Sequence, residues 1–388
     1  MFKKITIGLT LLVAMLLIAC GGGPTGGPGG GPADDGEEAA GGVTPAADDT
    51  LTEELSVFNW ADYIDEELLT QYEEQYGVKV IYDTYASNED LLAKLQAGAT
   101  GYDVIMPSDY MVAEMISLGL IAPIDASAFS NAGNMDAAFM DAPFDPGNAH
   151  CMPYQWGTTG MAYRAGHEYF DENPPTSWGA LFDPEQLVNY EGEINVLDDA
   201  RELPAAAAFY LGLDPNTENP DDLEKIQDVI LAAKPFWKTF NSEDYDTSLL
   251  IPDEVLLSQS WSGDAAAAYY GTYDDDAEDG NWYYSIPEEG AVKWLDNMCI
   301  TESSERKGTA AHFINFLMGE EEGAAITNYT YYASPNEAAK AHILDEILED
   351  ESIFPPAEVQ AKLSWLEQLS DDALKNYDEL WTVVKSGS

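Results

Sequence analysis

Between residues 55 and 110, short β-type runs alternate with amphipathic helical stretches. The β-type runs lie at 56–59, 78–82 and 104–106, and apolar residues recur every three or four positions between them. The positions that define these two helices are Leu68, Leu69, Tyr72, Tyr76, Leu91, Leu92 and Leu95. Gly77 and Gly98 follow them and are suited to end them. The alternation predicts a parallel sheet covered by helices.

Polar side chains stand where the helices of this unit begin. Asp65 can cap the first helix, Ser87 or Asn88 the second, and Asp109 a third. In a parallel α/β sheet, ligands bind beside the loops that leave the carboxyl ends of the strands. Two loops of this unit take that position, namely residues 60–63 after the first strand and residues 108–110 after the third.

The rest of the chain continues the α/β pattern. Residues 152–163 read as two short strands around Gly157 and Gly160, and further strands are predicted at 194–197, 255–261, 283–286 and 291–300. Helical stretches lie between these strands and after them, up to residues 357–385. The sequence therefore predicts an α/β protein, with about 338 residues after the N-terminal region, enough for two domains.

Several short motifs occur in a fixed order along the chain. They read FNWADYI, GVKVIYDTYASNE, AKL, DVIMPSDY, MPYQWGTTGMAY, LDDARE, WSGDAA, WLDNM and YASPN. Together they resemble the periplasmic spermidine/putrescine-binding proteins of ABC polyamine importers, over residues 55–388. The number of motifs in register makes the resemblance far more specific than one short pattern.

The resemblance implies the two-lobe, type II periplasmic-binding-protein fold. Each lobe would be a mostly parallel sheet flanked by helices, with hinge crossings near 152–160 and 294–302. The first lobe would comprise residues 51–155 and 297–330, and the second residues 156–296 and 331–388. The implied function is capture of a polyamine in the cleft between the lobes and delivery to the membrane permease of an ABC transporter, by a monomer without a cofactor or metal.

The first 50 residues carry targeting signals rather than a domain. Lys3 and Lys4 precede an apolar run at 5–18 that is shorter than the ~20 residues of a membrane span. The run ends at Cys20, which looks like a bacterial lipobox. This predicts a signal peptide at 1–19 and a lipid-anchored chain on the outer face of the cytoplasmic membrane or in the periplasm. The alternative is an ordinary secretory signal with a chance cysteine. Residues 20–50 are poor in large apolar side chains, so we expect a flexible linker.

The charge of the chain is extreme. It contains 16 Lys and Arg against 71 Asp and Glu, a formal net charge of −55. Such a surface argues against nucleic acid as a partner. It does not identify a ligand, because most carboxylates of such a chain lie on a solvated surface. The acidic residues 274–279 are likewise best explained as a solvated turn, since they lack the ligand spacing of a calcium loop.

A polyamine site needs carboxylates for its ammonium groups and aromatic faces for its methylenes. The motifs that resemble the family's ligand-contacting motifs supply both, together with one serine. The candidate ligand-binding residues are Trp60, Asp62, Tyr63, Ser108, Tyr110, Asp199, Glu202, Trp261, Asp264, Trp294, Asp296 and Tyr332. For each aromatic residue the alternative is core packing. For the acids it is a surface charge or a helix cap, above all for Asp199 and Asp264.

Other functions remain open on the sequence alone. The ligand of a binding protein could be another organic cation, an amino acid or a sugar. A hydrolase built on a carboxylate pair such as Asp199 and Glu202 is a further alternative. The resemblance also places Cys151 and Cys299 near the lobe crossing and implies a disulfide between them, against the alternative of two separate buried thiols.

The predicted anchor can be tested by replacing one atom. Cys20→Ser removes the sulfur that would carry the lipid, so we expect the exported protein to move from the membrane fraction to the soluble exported fraction. Immunoblotting of fractionated cells measures this, with wild type as the reference. Retention of the variant in the membrane fraction would contradict the lipobox interpretation.

Overall fold

A ten-stranded mixed sheet forms the centre of the computed structural model, which describes residues 41–98, 101–274 and 276–386. Its strands are β1 (Glu54–Trp60), β2 (Lys79–Tyr85), β3 (Val104–Ile105), β4 (Cys151–Arg164), β5 (Ile194–Val196), β6 (Thr239–Phe240), β7 (Leu257–Trp261), β8 (Trp282–Ser285), β9 (Ala291–Ile300) and β10 (Leu363–Ser364). The order is β2-β1-β3-β9-β4-β7-β5-β6, and β8 and β10 pair with β4 and β9.

Helices flank this sheet. They are α1 (Glu66–Tyr76), α2 (Asn88–Gln96), α3 (Asp109–Ser117), α4 (Glu168–Glu172), α5 (Gly179–Phe182), α6 (Pro184–Leu187), α7 (Glu202–Leu211), α8 (Pro220–Ala233), α9 (Ser262–Gly271), α10 (Lys307–Leu317), α11 (Glu320–Thr330), α12 (Asp345–Leu348), α13 (Ala357–Gln360) and α14 (Asp371–Ser386). A π-helical turn spans Asp246–Leu250. Among the described residues, no helix combines the length and the apolarity that crossing a membrane would require.

Two long antiparallel strands, β4 and β9, connect two groups of parallel strands. β3 pairs with the end of β9 at residues 299–300, whereas β7 pairs with the end of β4 at residues 159–163. The group β1–β3 and the group β5–β7 therefore lie at opposite ends of the central pair. Since β3 runs antiparallel to β9 and β7 runs antiparallel to β4, the carboxyl ends of the two groups point toward each other. The lobe boundaries given above remain predictions.

The sequence predicted two short strands where β4 is one strand of 14 residues. Glycine was read as an interruption, but in β4 it permits close packing. A Cβ at Gly157 would lie 2.5 Å from Cζ2 of Trp294, and a Cβ at Gly160 would lie 2.4 Å from the carbonyl oxygen of Ser285. These glycines admit neighbouring groups without breaking the strand.

The local helix signals are mostly confirmed. The Asp65 side chain accepts from the amide of Glu67 at the start of α1, and Gly77 ends that helix with φ +71°. Ser87, not Asn88, caps α2. The predicted cap of α3 was wrong by one residue, because Ser108 takes the cap position and Asp109 is the first helical residue.

The predicted linker is shorter than residues 20–50. The amide of Val43 donates to the carbonyl of Pro123 (2.8 Å), and that of Ala46 donates to the carbonyl of Gly308 (2.9 Å). The Asp48 carboxylate lies 3.4 Å from Nε2 of His312. Composition marked this segment as unable to fold by itself, but backbone hydrogen bonds to the domain order it. The predicted signal peptide, Cys20 and the linker up to residue 40 lie outside the described residues.

Cys151 and Cys299 form a disulfide between β4 and β9, and both are buried. The bond closes a loop of 148 residues at the point where the two strands pair. Closing so long a loop restricts the unfolded chain, which stabilises the folded state by about 2–5 kcal/mol. The acidic residues Asp274, Asp276 and Glu278 lie in an exposed turn.

Candidate ligand-binding site

A cavity of about 330 Å³ lies where the carboxyl ends of the two strand groups face each other. All twelve residues selected from the sequence line it: Trp60, Asp62, Tyr63, Ser108, Tyr110, Asp199, Glu202, Trp261, Asp264, Trp294, Asp296 and Tyr332. Trp60 is the last residue of β1 and Asp62 and Tyr63 follow it, whereas Ser108 and Tyr110 lie at the start of α3, after β3. Asp199 and Glu202 follow β5, Trp261 ends β7, and Asp264 lies in the first turn of α9. β9 brings Trp294 and Asp296 between the two groups.

Asp296 is a buried carboxylate held by two hydroxyl groups. Oγ of Ser108 donates to its Oδ1 and the Tyr63 hydroxyl donates to its Oδ2, both at 2.7 Å. Only 5% of the residue is exposed, and this burial raises the pKa of Asp296 to about 7 although the two hydrogen bonds lower it. Trp294, two residues earlier on β9, also lines the cavity, as alternation along a strand requires.

Asp264, in the first turn of α9, is a second carboxylate held by hydroxyl groups, and it is partly buried. Its Oδ2 accepts from the hydroxyls of Tyr332 (2.7 Å) and Tyr245 (2.9 Å). Burial, and then the charge of Asp246, raise the pKa of Asp264 to about 7. The sequence left a helix cap as the alternative for Asp264, but its carboxylate binds tyrosine hydroxyls instead.

Aromatic rings separate these two aspartates. The rings of Tyr63 and Tyr332, each of which donates to a different aspartate, meet edge to face at 5.2 Å between centroids. Trp294 contacts Tyr332 at the same centroid distance. Across the cavity, the rings of Trp60 and Trp261 lie 6.4 Å apart and join the two strand groups. Contacting rings thus connect a hydroxyl group that binds Asp296 with one that binds Asp264.

Glu202 and Asp199 form a further acidic wall at the start of α7. Oδ1 of Asp199 accepts from the amides of Arg201 (2.8 Å) and Glu202 (2.9 Å), so Asp199 binds the turn that leads into α7 and also lines the cavity. Thr159 donates to Oε1 of Glu202, whereas Oε2 is buried without a hydrogen-bond partner among the described residues. Burial, and then the charge of Asp199, raise the pKa of Glu202 to about 8.

Four acids of the cavity were not selected from the sequence: Asp109, Glu243, Asp244 and Asp246. Asp109 was read as a helix cap, but it is buried in the cavity wall, and burial raises its pKa to about 8. The other three follow β6, a two-residue strand without a usable sequence signal. Asp62 and Asp244 both adopt positive φ. Partial burial, and then the charge of Asp244, raise the pKa of Asp62.

The charge of the cavity is uncompensated at its surface. Nine acids line it, and among the described lining residues there is no Lys, Arg or His. The guanidinium of Arg201 lies 5.1 Å from the Tyr110 ring centroid, and Arg201 is not one of the residues that line the cavity. Buried carboxylates without cations are costly, and they favour a cationic ligand.

Comparison with known proteins agrees with this geometry. A putrescine/cadaverine-binding protein of Pseudomonas aeruginosa is 35% identical over 342 residues, which cover 88% of this chain and 96% of the relative. The putrescine-binding periplasmic protein of Escherichia coli K12 is 33% identical and covers 86% of this chain and 91% of its own length.

Solved structures show the same fold. A putative spermidine/putrescine ABC transporter protein from Listeria monocytogenes matches with a TM-score of 0.80 and 33% identity, covering 87% of this chain and all of the other (100%). A spermidine/putrescine ABC transporter substrate-binding protein from Streptococcus pneumoniae matches with a TM-score of 0.70 and 31% identity, covering 86% and 99%. The fold is thus the α/β fold of the type II periplasmic binding proteins.

The sequence pattern described as bacterial extracellular solute-binding protein matches residues 67–356. This range contains β2 to β9, including the central pair β4 and β9, and most of the acidic cavity. The chain therefore belongs to the family of bacterial extracellular solute-binding proteins.

Proposed function

We propose that this protein is the extracytoplasmic substrate-binding component of an ABC importer and that it captures a linear polyamine. The observation that carries the proposal is the pair of aspartates, Asp296 and Asp264, each held by hydroxyl groups and separated by the contacting rings of two tyrosines. An ammonium group would pair with each aspartate, and the methylenes between the ammonium groups would pack against the aromatic rings. The relatives known as putrescine/cadaverine-binding and spermidine/putrescine-binding proteins support the same ligand class.

The cavity disfavours the other ligands considered. An amino acid brings a carboxylate, which would require a basic partner, and no Lys, Arg or His is found among the described lining residues. A neutral sugar would leave nine acids without compensating charge. The relatives are transport proteins, which favours binding without turnover over a carboxylate-pair hydrolase.

Residues from both strand groups would contact one ligand. A ligand that binds both sides favours the closed arrangement by its additional contacts, and this is how we expect the two lobes proposed above to close. The closed, loaded protein would then be recognised by the permease. We propose that Cys20 carries the lipid that keeps the monomeric protein at the membrane.

Calorimetry with a small set of ligands tests the ligand class. Putrescine and spermidine should give saturable heat, whereas glutamate and glucose should give none, because only the polyamines neutralise the cavity. Choline, a single organic cation, should bind much more weakly than either polyamine, since it can reach only one aspartate. Tight binding of choline, glutamate or glucose without polyamine binding would overturn the proposal.

Asp296 should be an anchor for one ammonium group. Asp296→Asn keeps the shape but removes the charge, and loss of one partner of a buried charge pair costs about 2–5 kcal/mol. At about 1.4 kcal/mol per decade, putrescine affinity should fall roughly thirtyfold to several thousandfold. Asp372→Asn, at a side chain that is 97% exposed, is the charge-matched control and should bind like wild type. Equal affinity of Asp296→Asn and wild type would remove Asp296 from the site.

Polyamine binding should release protons. The pKa values of Asp296 and Asp264 are about 7 and that of Glu202 is about 8 in the empty cavity, and an ammonium ligand favours their ionised forms. Affinity should therefore rise with pH, by about tenfold between pH 6 and pH 8 for each carboxyl group of pKa near 7. Conversely, the stability of the empty protein should fall over pH 5–8, because the folded state binds more protons than the unfolded state.

Calorimetry at pH 7 in two buffers of different ionisation enthalpy counts these protons. The proton release should be smaller in Asp296→Asn than in wild type and unchanged in Asp372→Asn. Affinity that is flat between pH 6 and pH 8, with no buffer dependence of the heat, would show that the carboxylates already carry their charge before the ligand arrives.

A further inference from the structure

Asn88 is a buried amide in the lining of the cavity, and the proposed ligand contacts do not include it. It is the first residue of α2, and only 3% of it is exposed. Its Oδ1 accepts from the amide of Ser108 at 3.1 Å. Its Nδ2 donates to Oγ of Ser108 and to the Tyr110 hydroxyl, both at 3.0 Å. All its hydrogen-bonding groups therefore act on the loop that carries two candidate ligand contacts.

The direction of these hydrogen bonds is determined by the backbone. A backbone N–H can only donate, so the Asn88 atom that faces the Ser108 amide must be the oxygen. The amide nitrogen, which can only donate, must then face Oγ of Ser108 and the Tyr110 hydroxyl. Both hydroxyl oxygens are consequently acceptors toward Asn88.

Each hydroxyl has one proton left to donate, and each has a carboxylate in reach. Oγ of Ser108 donates to Oδ1 of Asp296 at 2.7 Å, and the Tyr110 hydroxyl donates to Oε1 of Glu89 at 3.3 Å. The chain of donors therefore runs from Asn88 through Ser108 to Asp296. Hydrogen bonds donated to a carboxylate stabilise its ionised form, which is the form that binds an ammonium group.

We infer that Asn88 is a positioning residue for ligand binding, because it directs the Ser108 hydroxyl proton onto Asp296. The expected effect on polyamine affinity rests on the proposed function. The structural part of the inference, the control of Asp296 by Asn88, holds in the empty protein. In the same way, the Tyr110 hydroxyl accepts a hydrogen bond from Asn88 and donates one to the carboxylate of Glu89 in α2.

The described groups around Asp296 include no cation that would stabilise its charge in place of the hydroxyl donors. The titratable groups that face it are Asp109 at the start of α3, Tyr63 after β1, Tyr85 at the end of β2 and Tyr154 on β4. None of them is cationic, and no ion pair joins Asp296 to a Lys, Arg or His of the described chain. Hydroxyl donors are thus the main groups that favour its ionised form.

A double-mutant cycle on the unliganded protein tests the inference. Asn88→Ala frees the Ser108 hydroxyl to turn away, so the pKa of Asp296 should rise. It can be followed as the 13Cγ signal of labelled aspartate that is lost in Asp296→Asn. Ser108→Ala should raise the same pKa. In the Ser108→Ala background, Asn88→Ala should have a much smaller effect, because the hydroxyl that Asn88 orients is already absent and only the bond to the backbone amide of residue 108 is lost.

Putrescine binding provides the second measurement. Asn88→Ala should weaken affinity at pH 7 by about tenfold, and by less than about threefold in the Ser108→Ala background. Asn148→Gly is the matched control: Asn148 is a buried asparagine away from the cavity that bonds Asp141 and Cys151, at a φ of +50° where glycine is unstrained. It should lower the melting temperature without changing affinity or the titration of Asp296.

The outcomes separate the two proposals. If wild type binds no polyamine, the proposed function fails, but the titration of Asp296 still tests whether Asn88 positions the Ser108 hydroxyl. If Asn88→Ala leaves the pKa of Asp296 unchanged, or shifts it equally with and without Ser108, the positioning role is overturned. Should Asn88→Ala not fold, Asn88→Asp keeps the acceptor for the Ser108 amide but cannot donate. The effect of its added charge is measured in the Ser108→Ala background.

Discussion

The antiparallel pairing of β4 with β9 is the interaction on which the remaining structure depends. It joins two groups of parallel strands, one at each end, and turns their carboxyl ends toward one another. Glycines in β4 allow Trp294 to approach closely, and a disulfide joins the two strands beside β3. Without this pair, the loops after β1 and β3 would not face those after β5 and β7, and each set would line an open edge.

The cavity that results is electrostatically unfavourable when empty. Burial raises the pKa of several acids, and the hydroxyls of Ser108, Tyr63, Tyr245 and Tyr332 offset only part of that cost. Hydroxyl groups hold a carboxylate in place without neutralising it, whereas a Lys or Arg would occupy the position of the ligand. The protein thus retains anionic groups that are oriented but not neutralised, and a ligand with several positive charges completes them. In this view Asn88 contributes to ligand binding by orienting the Ser108 hydroxyl.

Much of the fold could be predicted from local signals. Strands β1 to β3, helices α1 and α2 and their caps at Asp65 and Ser87 follow from periodicity and short polar side chains, which act within a few residues. The continuity of β4 was missed because glycine has no side chain to report what packs against it. The order of residues 43–50 was missed because their hydrogen bonds are made to distant carbonyl groups, which composition cannot register.

From the sequence we could predict the fold class, the family resemblance and twelve of the residues that line the cavity, because those residues sit in motifs at strand ends. How these residues are used follows only from the tertiary structure. In it Asp199 binds backbone amides of the turn before α7, Asp264 binds two tyrosines, and Asp244 and Asp246 join the cavity from a segment that follows a strand too short to predict. The physical reason is that the charge state of a carboxylate such as Asp296 depends on its burial and on hydrogen-bond donors far away in the chain, such as Ser108 and the Asn88 that orients it, which only folding brings together.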